Sequence, residues 1–312
     1  MHSNYRCHSF LLVHNAGSAA GPAILYPKSM FLVALYSYGK FYNYSFFYSS
    51  CMNTLAIKIL LMPIVIAIVS HAIKKWGPTM AGIISCLPWV AGPILIFIAV
   101  EQGSIFAAHT IPGVMVGILG WLAFCVTYAY LGRKYNPIWC CISGYLAYLL
   151  TALVFKDIPG FIGLNLSFAL AILLISIAFY YFPHLKKPYT KPLKEFRYDL
   201  LMRMIASTLI VVSITQLAEM LGPKWSGILT PIPVITAVVA VFTHYTQGME
   251  ATISLFKGLL MGVYGFTIFL FSQAYLLPKT SILFSFMIGI FFNILMTILV
   301  RWILIKIHFI QR

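Results

Sequence analysis

The chain repeats itself, without a gap, at an offset of 145 residues. Gly77-Pro78 recurs as Gly222-Pro223, Gly82-Ile83 as Gly227-Ile228, and Pro88 as Pro233. Gln102-Gly103 returns as Gln247-Gly248, and Gly113, Gly117 and Gly120 return as Gly258, Gly262 and Gly265. Ala129-Tyr130-Leu131 becomes Ala274-Tyr275-Leu276. Between residues 77 and 134, 16 of 58 positions match their partners, and half of those matches are Gly or Pro. Chance alignment of apolar stretches would enrich Leu, Ile and Val instead. The chain is therefore a duplicated unit whose copies share backbone irregularities, a pattern found in membrane folds built from two halves.

Composition sets the solvent. Hydrophobic residues make up 61% of the chain and charged residues 9%, with a mean hydropathy of +0.93. A soluble domain carries roughly 25% charged residues, so most of this surface faces lipid. The net charge of +15 could point to nucleic acid, but the cations fall in short loops between apolar runs. That distribution fits topology determinants, so no nucleic-acid partner is expected. Cys7, Cys51, Cys86, Cys125, Cys140 and Cys141 show no CxxC or Cys/His ligand spacing. They read as small core residues, and neither a metal nor another cofactor is expected.

A spanning helix needs about 20 apolar residues. Nine stretches qualify: 53–73, 77–100, 108–131, 137–155, 161–182, 199–219, 222–244, 252–276 and 281–303. Shifting the first four by 145 gives the last four. The expected architecture is an all-α integral membrane protein, with about nine transmembrane helices in two four-helix repeats joined by a linker helix. Repeat 1 covers 52–156, the linker helix and a basic loop cover 157–196, and repeat 2 covers 197–312. Residues 1–51 have no counterpart and read as a poorly ordered extension ahead of a start at Met52. Four crossings return the chain to its starting side and a fifth carries it over, so the second copy is expected to be inverted.

The cations agree with that count. With the start outside, the inner segments hold Lys74, Lys75, Arg133, Lys134, Lys186, Lys187, Lys191, Lys194, Arg197, Arg301, Lys306 and Arg312. The outer loops after Met52 hold Lys156, Lys224 and Lys279. Twelve against three is the asymmetry of the positive-inside rule, and it predicts a cytoplasmic C-terminus.

The second span of each copy is where chemistry is expected. Each opens on Gly-Pro, continues through Gly82 or Gly227, and meets Pro88 in one copy and Pro231 with Pro233 in the other. A proline inside a helix removes a hydrogen bond, and matching breaks in two inverted halves point to a central site. The competing role is a kink that serves packing alone. The glycines at 113, 117 and 120, and at 258, 262 and 265, suit close helix packing. Lys58 and Arg203 are repeat partners within the first helix of each half. Two roles fit them: snorkelling to the interface, or pairing with an anionic group in a cavity. The candidate substrate-binding set is therefore Pro88, Pro233, Lys58, Arg203, Gly82 and Gly227. No carboxylate lies in mid-span, and no GxSxG, HExxH or phosphate-loop signature is present, so catalysis is not expected.

The Gly-Pro-x-x-x-Gly-Ile opening with Pro88 or Pro233 eleven residues on resembles the second helix of the GlpM-like proteins and a related four-helix family. Those look like distant relatives of the small multidrug resistance and drug/metabolite transporter group, which builds inverted pairs from such units. The likeness covers about 52–156 and 197–312. It implies a fused inverted pair in a bacterial inner membrane, with a role linked to the cell envelope. The multidrug exporters carry a glutamate in their first helix, whereas this chain carries Lys58 and Arg203. The expected activity is that of a secondary transporter or flippase for a neutral or anionic small molecule or lipid-linked envelope precursor. The alternative is a non-transporting component that assembles with envelope-biosynthesis proteins. A water-filled cavity at mid-membrane would favour the first, and a dry, tightly packed repeat interface the second.

Overall fold

A computed structural model describes residues 44–101, 103–155, 158–185, 198–221 and 232–306. Ten helices follow one another in these segments: α1 Tyr44–Trp76, α2 Pro78–Ser85, α3 Ala91–Glu101, α4 Ser104–Leu131, α5 Pro137–Phe155, α6 Ile158–Tyr180, α7 Asp199–Leu221, α8 Val234–Gln247, α9 Met249–Leu276 and α10 Ile282–Lys306. No strand occurs among the described residues. In lipid every backbone N–H and C=O needs a partner within the protein, and helices provide that locally.

Six of these helices are long and apolar enough to cross a membrane, through Ile59–Trp76, Ser104–Leu131, Pro137–Phe155, Gly163–Tyr180, Met249–Leu276 and Ile282–Leu304. The protein is a helical, multi-pass membrane protein. The stretch 77–100, expected as one span, is two short helices separated by a break at Cys86–Val90. Of the stretch 222–244, residues 222–231, and with them Gly227 and Pro231, lie outside the described residues. α8 begins after Pro233 and runs only 14 residues. The first helix begins at Tyr44, upstream of Met52, because nothing between them breaks a helix. Residues 1–43 and most of the basic loop at 183–197 lie outside the described residues.

The helix ends follow the duplication. α4 and α9 start and finish 145 residues apart, as do the ends of α1 and α7 and the starts of α5 and α10. Gly103 and Gly248 cap α4 and α9 at φ 93 and φ 87, a region open to glycine. Asn136 Oδ1 accepts from the Trp139 amide at 3.1 Å ahead of α5, and its repeat partner Ser281 accepts from Phe284 through Oγ at 3.4 Å ahead of α10. Both are side-chain caps for otherwise unpaired amides.

Packing follows the same rule. α4 lies along α5 as α9 lies along α10, and α3 touches α10 as α8 touches α5. α9 is the centre, contacting α2, α4, α6, α8 and α10, and 83% of its apolar window is buried. α5 and α10 are peripheral, with 22% of theirs buried, and their Leu, Ile and Phe side chains face outward. The C-terminal end of α4 lies against the N-terminal end of α9. Tyr128 and Phe256 have ring centroids 5.4 Å apart, and a Cβ on Gly132 would overlap the Met249 side chain.

Candidate functional site in the α1–α7–α8–α9 bundle end

Pro88 lies half-buried in the break between α2 and α3, and the break is closed by its own residues. The carbonyls of Ile83 and Ile84 accept from the amides of Cys86 and Leu87, each at 3.2 Å. Trp89 donates its indole N–H to Ile84 O at 2.8 Å, Gly92 donates to Pro88 O at 2.9 Å, and Cys86 Sγ donates to Leu259 O at 3.1 Å. The polar backbone freed by the proline is thus satisfied without a ligand. Pro233 is buried at the N-cap of α8 with φ −77. The Pro88 break faces α9 and α10 through Leu259 and Phe286, whereas α8 packs on α1, α5, α7 and α9.

Gly82 is a packing residue. It sits where α2 crosses α9, and a Cβ there would lie 2.7 Å from the Leu259 amide and overlap the Leu255 carbonyl. Gly258 meets the Thr79 carbonyl in the same way, and Gly262 meets Cys86. Two helix backbones in contact leave no room for a ligand at that point. The crossing is dry.

Arg203 does not snorkel. Its side chain is 2% exposed, and Nε donates to Asp199 Oδ2 at 2.9 Å one turn earlier on α7. The guanidinium carbon sits 5.3 Å from the ring centroid of Phe242 on α8, within cation–π range. The i, i+4 spacing and the position of Asp199 in the first turn favour this pair locally. Its repeat partner Lys58 lies on α1, and that side chain falls outside the described residues.

The pair is incompletely satisfied. Arg203 Nη1 and Asp199 Oδ1 are buried without a hydrogen-bond partner. So are Ser70 Oγ on α1 and Thr243 Oγ1 and Gln247 Oε1, one turn apart on α8. α1, α7 and α8 pack on one another, and Arg203 reaches α8 at Phe242, the neighbour of Thr243. On α9, which packs on α8, Lys257 is 3% exposed and its Nζ has no partner either. A buried polar atom without a partner costs about 1–3 kcal/mol, so such a group of them is a place where a bound molecule would gain free energy.

Lys257 escaped the sequence reading because its repeat partner is Pro112, and attention to conserved pairs passes over it. The signal was present: a lone cation two turns inside an apolar span.

Further polar ties join the two copies to each other and to the linker. Arg133, just beyond α4, lies 3.4 Å from Glu250 at the start of α9, and also donates to the His184 carbonyl beyond α6. Tyr130 donates to Tyr181 O at 2.6 Å, and Tyr128 Oη is 3.3 Å from His244 Nδ1 on α8. At the opposite end Tyr275 donates to Asn165 Oδ1. Among the described residues no group of three or more His, Cys, Asp or Glu is arranged to hold a metal ion.

No known protein family, no curated protein and no solved structure matches this chain.

Proposed function

We propose that this chain is a secondary transporter or flippase, taking a neutral or anionic small molecule or a lipid-linked envelope precursor across a bacterial inner membrane. The two copies run in opposite senses through nine crossings, joined by α6, with a cytoplasmic C-terminus. The likeness to the GlpM-like and drug/metabolite transporter groups is part of this reading. The contact of the α4 C-terminus with the α9 N-terminus supports inversion, since repeat partners that run oppositely meet head to tail. The cation asymmetry supports the orientation.

The observation that carries the substrate class is the pair of buried cations, Arg203 and Lys257, each with an unpartnered donor. Intramembrane cations face the bundle interior and mark ligand paths. The binding locus moves with them. It lies around Arg203 and Lys257 rather than between the Pro88- and Pro233-bearing helices, and the closed backbone at the Pro88 break supports that shift.

A thermal-shift screen of purified protein against lipid-linked sugars, metabolite anions and amines tests this. An anion or a neutral lipid-linked sugar should stabilise the native protein, and Lys257→Gln should abolish the anion's effect. Stabilisation by amines alone, or an undiminished anion effect in that variant, would defeat it. The second reading is a non-transporting component of an envelope-biosynthesis assembly. The dry α2–α9 crossing favours it, and it predicts a ligand-blind protein that co-purifies with partners.

A further inference from the structure

The junction of α1 with α2 carries a second feature, on the outside of the bundle and unrelated to the buried cations. An open cleft of about 460 Å³ is lined by Trp76, Met80, Ile84 and Arg301. Trp76 ends α1 and is 54% exposed. Met80 and Ile84 stand one turn apart on α2, and Arg301 comes from α10, one turn before its apolar span ends at Leu304. The cleft therefore lies at the level where two apolar spans finish together.

Its chemistry is two-sided. Lys74 and Lys75 precede Trp76, with Lys75 Nζ 5.2 Å from the Trp76 ring centroid. On α10, Lys306 Nζ sits 5.0 Å from the ring of Trp302, which neighbours Arg301. Trp76 and Arg301 line the cleft itself, and Lys74, Lys75, Trp302 and Lys306 stand near them in sequence at the ends of the same two helices. Neither ion pair among the described residues, Arg133–Glu250 or Arg203–Asp199, involves Lys74, Lys75, Arg301 or Lys306. The floor, by contrast, is apolar.

We infer that this cleft holds an anionic phospholipid, with its phosphate on Arg301 and an acyl chain along Met80 and Ile84. A guanidinium presents a planar fork to a phosphate, and indoles settle at headgroup depth with the N–H toward water. Lys74, Lys75 and Lys306 add the positive field that selects a headgroup of net negative charge. The inference is independent of the transport reading.

Native mass spectrometry after reconstitution in mixed phosphatidylglycerol–phosphatidylcholine nanodiscs tests it. The wild-type chain should retain phosphatidylglycerol in preference to phosphatidylcholine. Arg301→Gln should lower that retention about tenfold, as loss of one charge-assisted contact implies. Trp76→Leu should lower it in the same direction. Lys279→Gln, which removes an exposed cation at the other end of α10, should leave it unchanged. Circular dichroism establishes that each variant keeps its helices. Equal losses from Arg301→Gln and Lys279→Gln would mean a diffuse charge effect and would overturn the site. Displacement of the lipid by inorganic phosphate, with equal retention of any acyl chain, would overturn the choice of lipid over free phosphate.

Discussion

Gly103 and Gly248, 145 residues apart, hold nearly the same left-handed extended backbone, φ 93, ψ 152 and φ 87, ψ 176, each at the cap of a 28-residue helix. Residues with a Cβ avoid that region, and forcing one into it costs about 1–3 kcal/mol. Gly103 has open space around it, so the cost there would be conformational and not steric. Gly103→Ala and Gly248→Ala should each lower stability by about that amount in a denaturation titration in detergent. Gly113→Ala is the contrast: it lies inside α4 with nothing within 4 Å. It should be neutral or stabilising by about 0.5–1 kcal/mol. Equal losses at all three would contradict the backbone explanation.

Arg203→Ala cannot be a silent probe of ligand binding, because the side chain is buried in an ion pair. It leaves Asp199, 13% exposed, without its cation. Breaking a buried pair from one side costs about 3–5 kcal/mol, whereas replacing both partners by apolar groups is often close to neutral. Arg203→Ala should therefore destabilise by that amount, and Arg203→Met combined with Asp199→Leu should recover most of it. A double variant no better than the single one would show that Arg203 contributes through Phe242 packing and not through the pair.

Labelling decides the inversion. Single cysteines placed at Lys191 and Lys279, in a chain freed of its other cysteines, should react with a membrane-impermeant reagent from opposite faces of the membrane. Reaction of both from one face would remove the inverted arrangement, and with it the reading of α6 as a full crossing.

Much of the architecture was legible before any coordinates, because it is written in residues with local consequences. The caps at Asn136 and Ser281 emerge only from the structure, whereas Gly103 and Gly248 begin helices through their own backbone, so the repeat announces them. Pro88 announced a break for the same reason. What the break does was not legible. Trp89 closes it by donating to Ile84, and α9 closes it further through Leu259, a residue far along the chain. Gly82 was similarly ambiguous, since a glycine that admits a ligand and one that admits a helix look alike in sequence. The difference is the presence of Gly258 opposite. Arg203 was visible as an intramembrane cation, but its burial depends on Phe242 and on packing among three helices. Lys257 is matched by Pro112 in the other copy, so no second cation drew attention to it.

The central place of α9 has a consequence for how the protein is made. Its mean hydropathy, 1.7, is below the 2.4 of α10, and it carries Lys257 and Gln273 into the apolar layer. Gln273 is matched by α10, donating to Ser285 O at 2.9 Å and accepting from Ser285 Oγ at 2.6 Å. Its glycines close on α2 and α10, elements on either side of it in the chain. Left alone in lipid, α9 would expose a cation, an amide and a strip of bare backbone. A nascent chain therefore reaches a stable state in the membrane only when the N-terminal copy is already folded to receive α9 and α10 follows as its hairpin mate. Synthesis halted between Leu276 and Ile282 would yield a product fit for degradation, and the two halves, similar as their sequences are, would not be interchangeable as independent pieces.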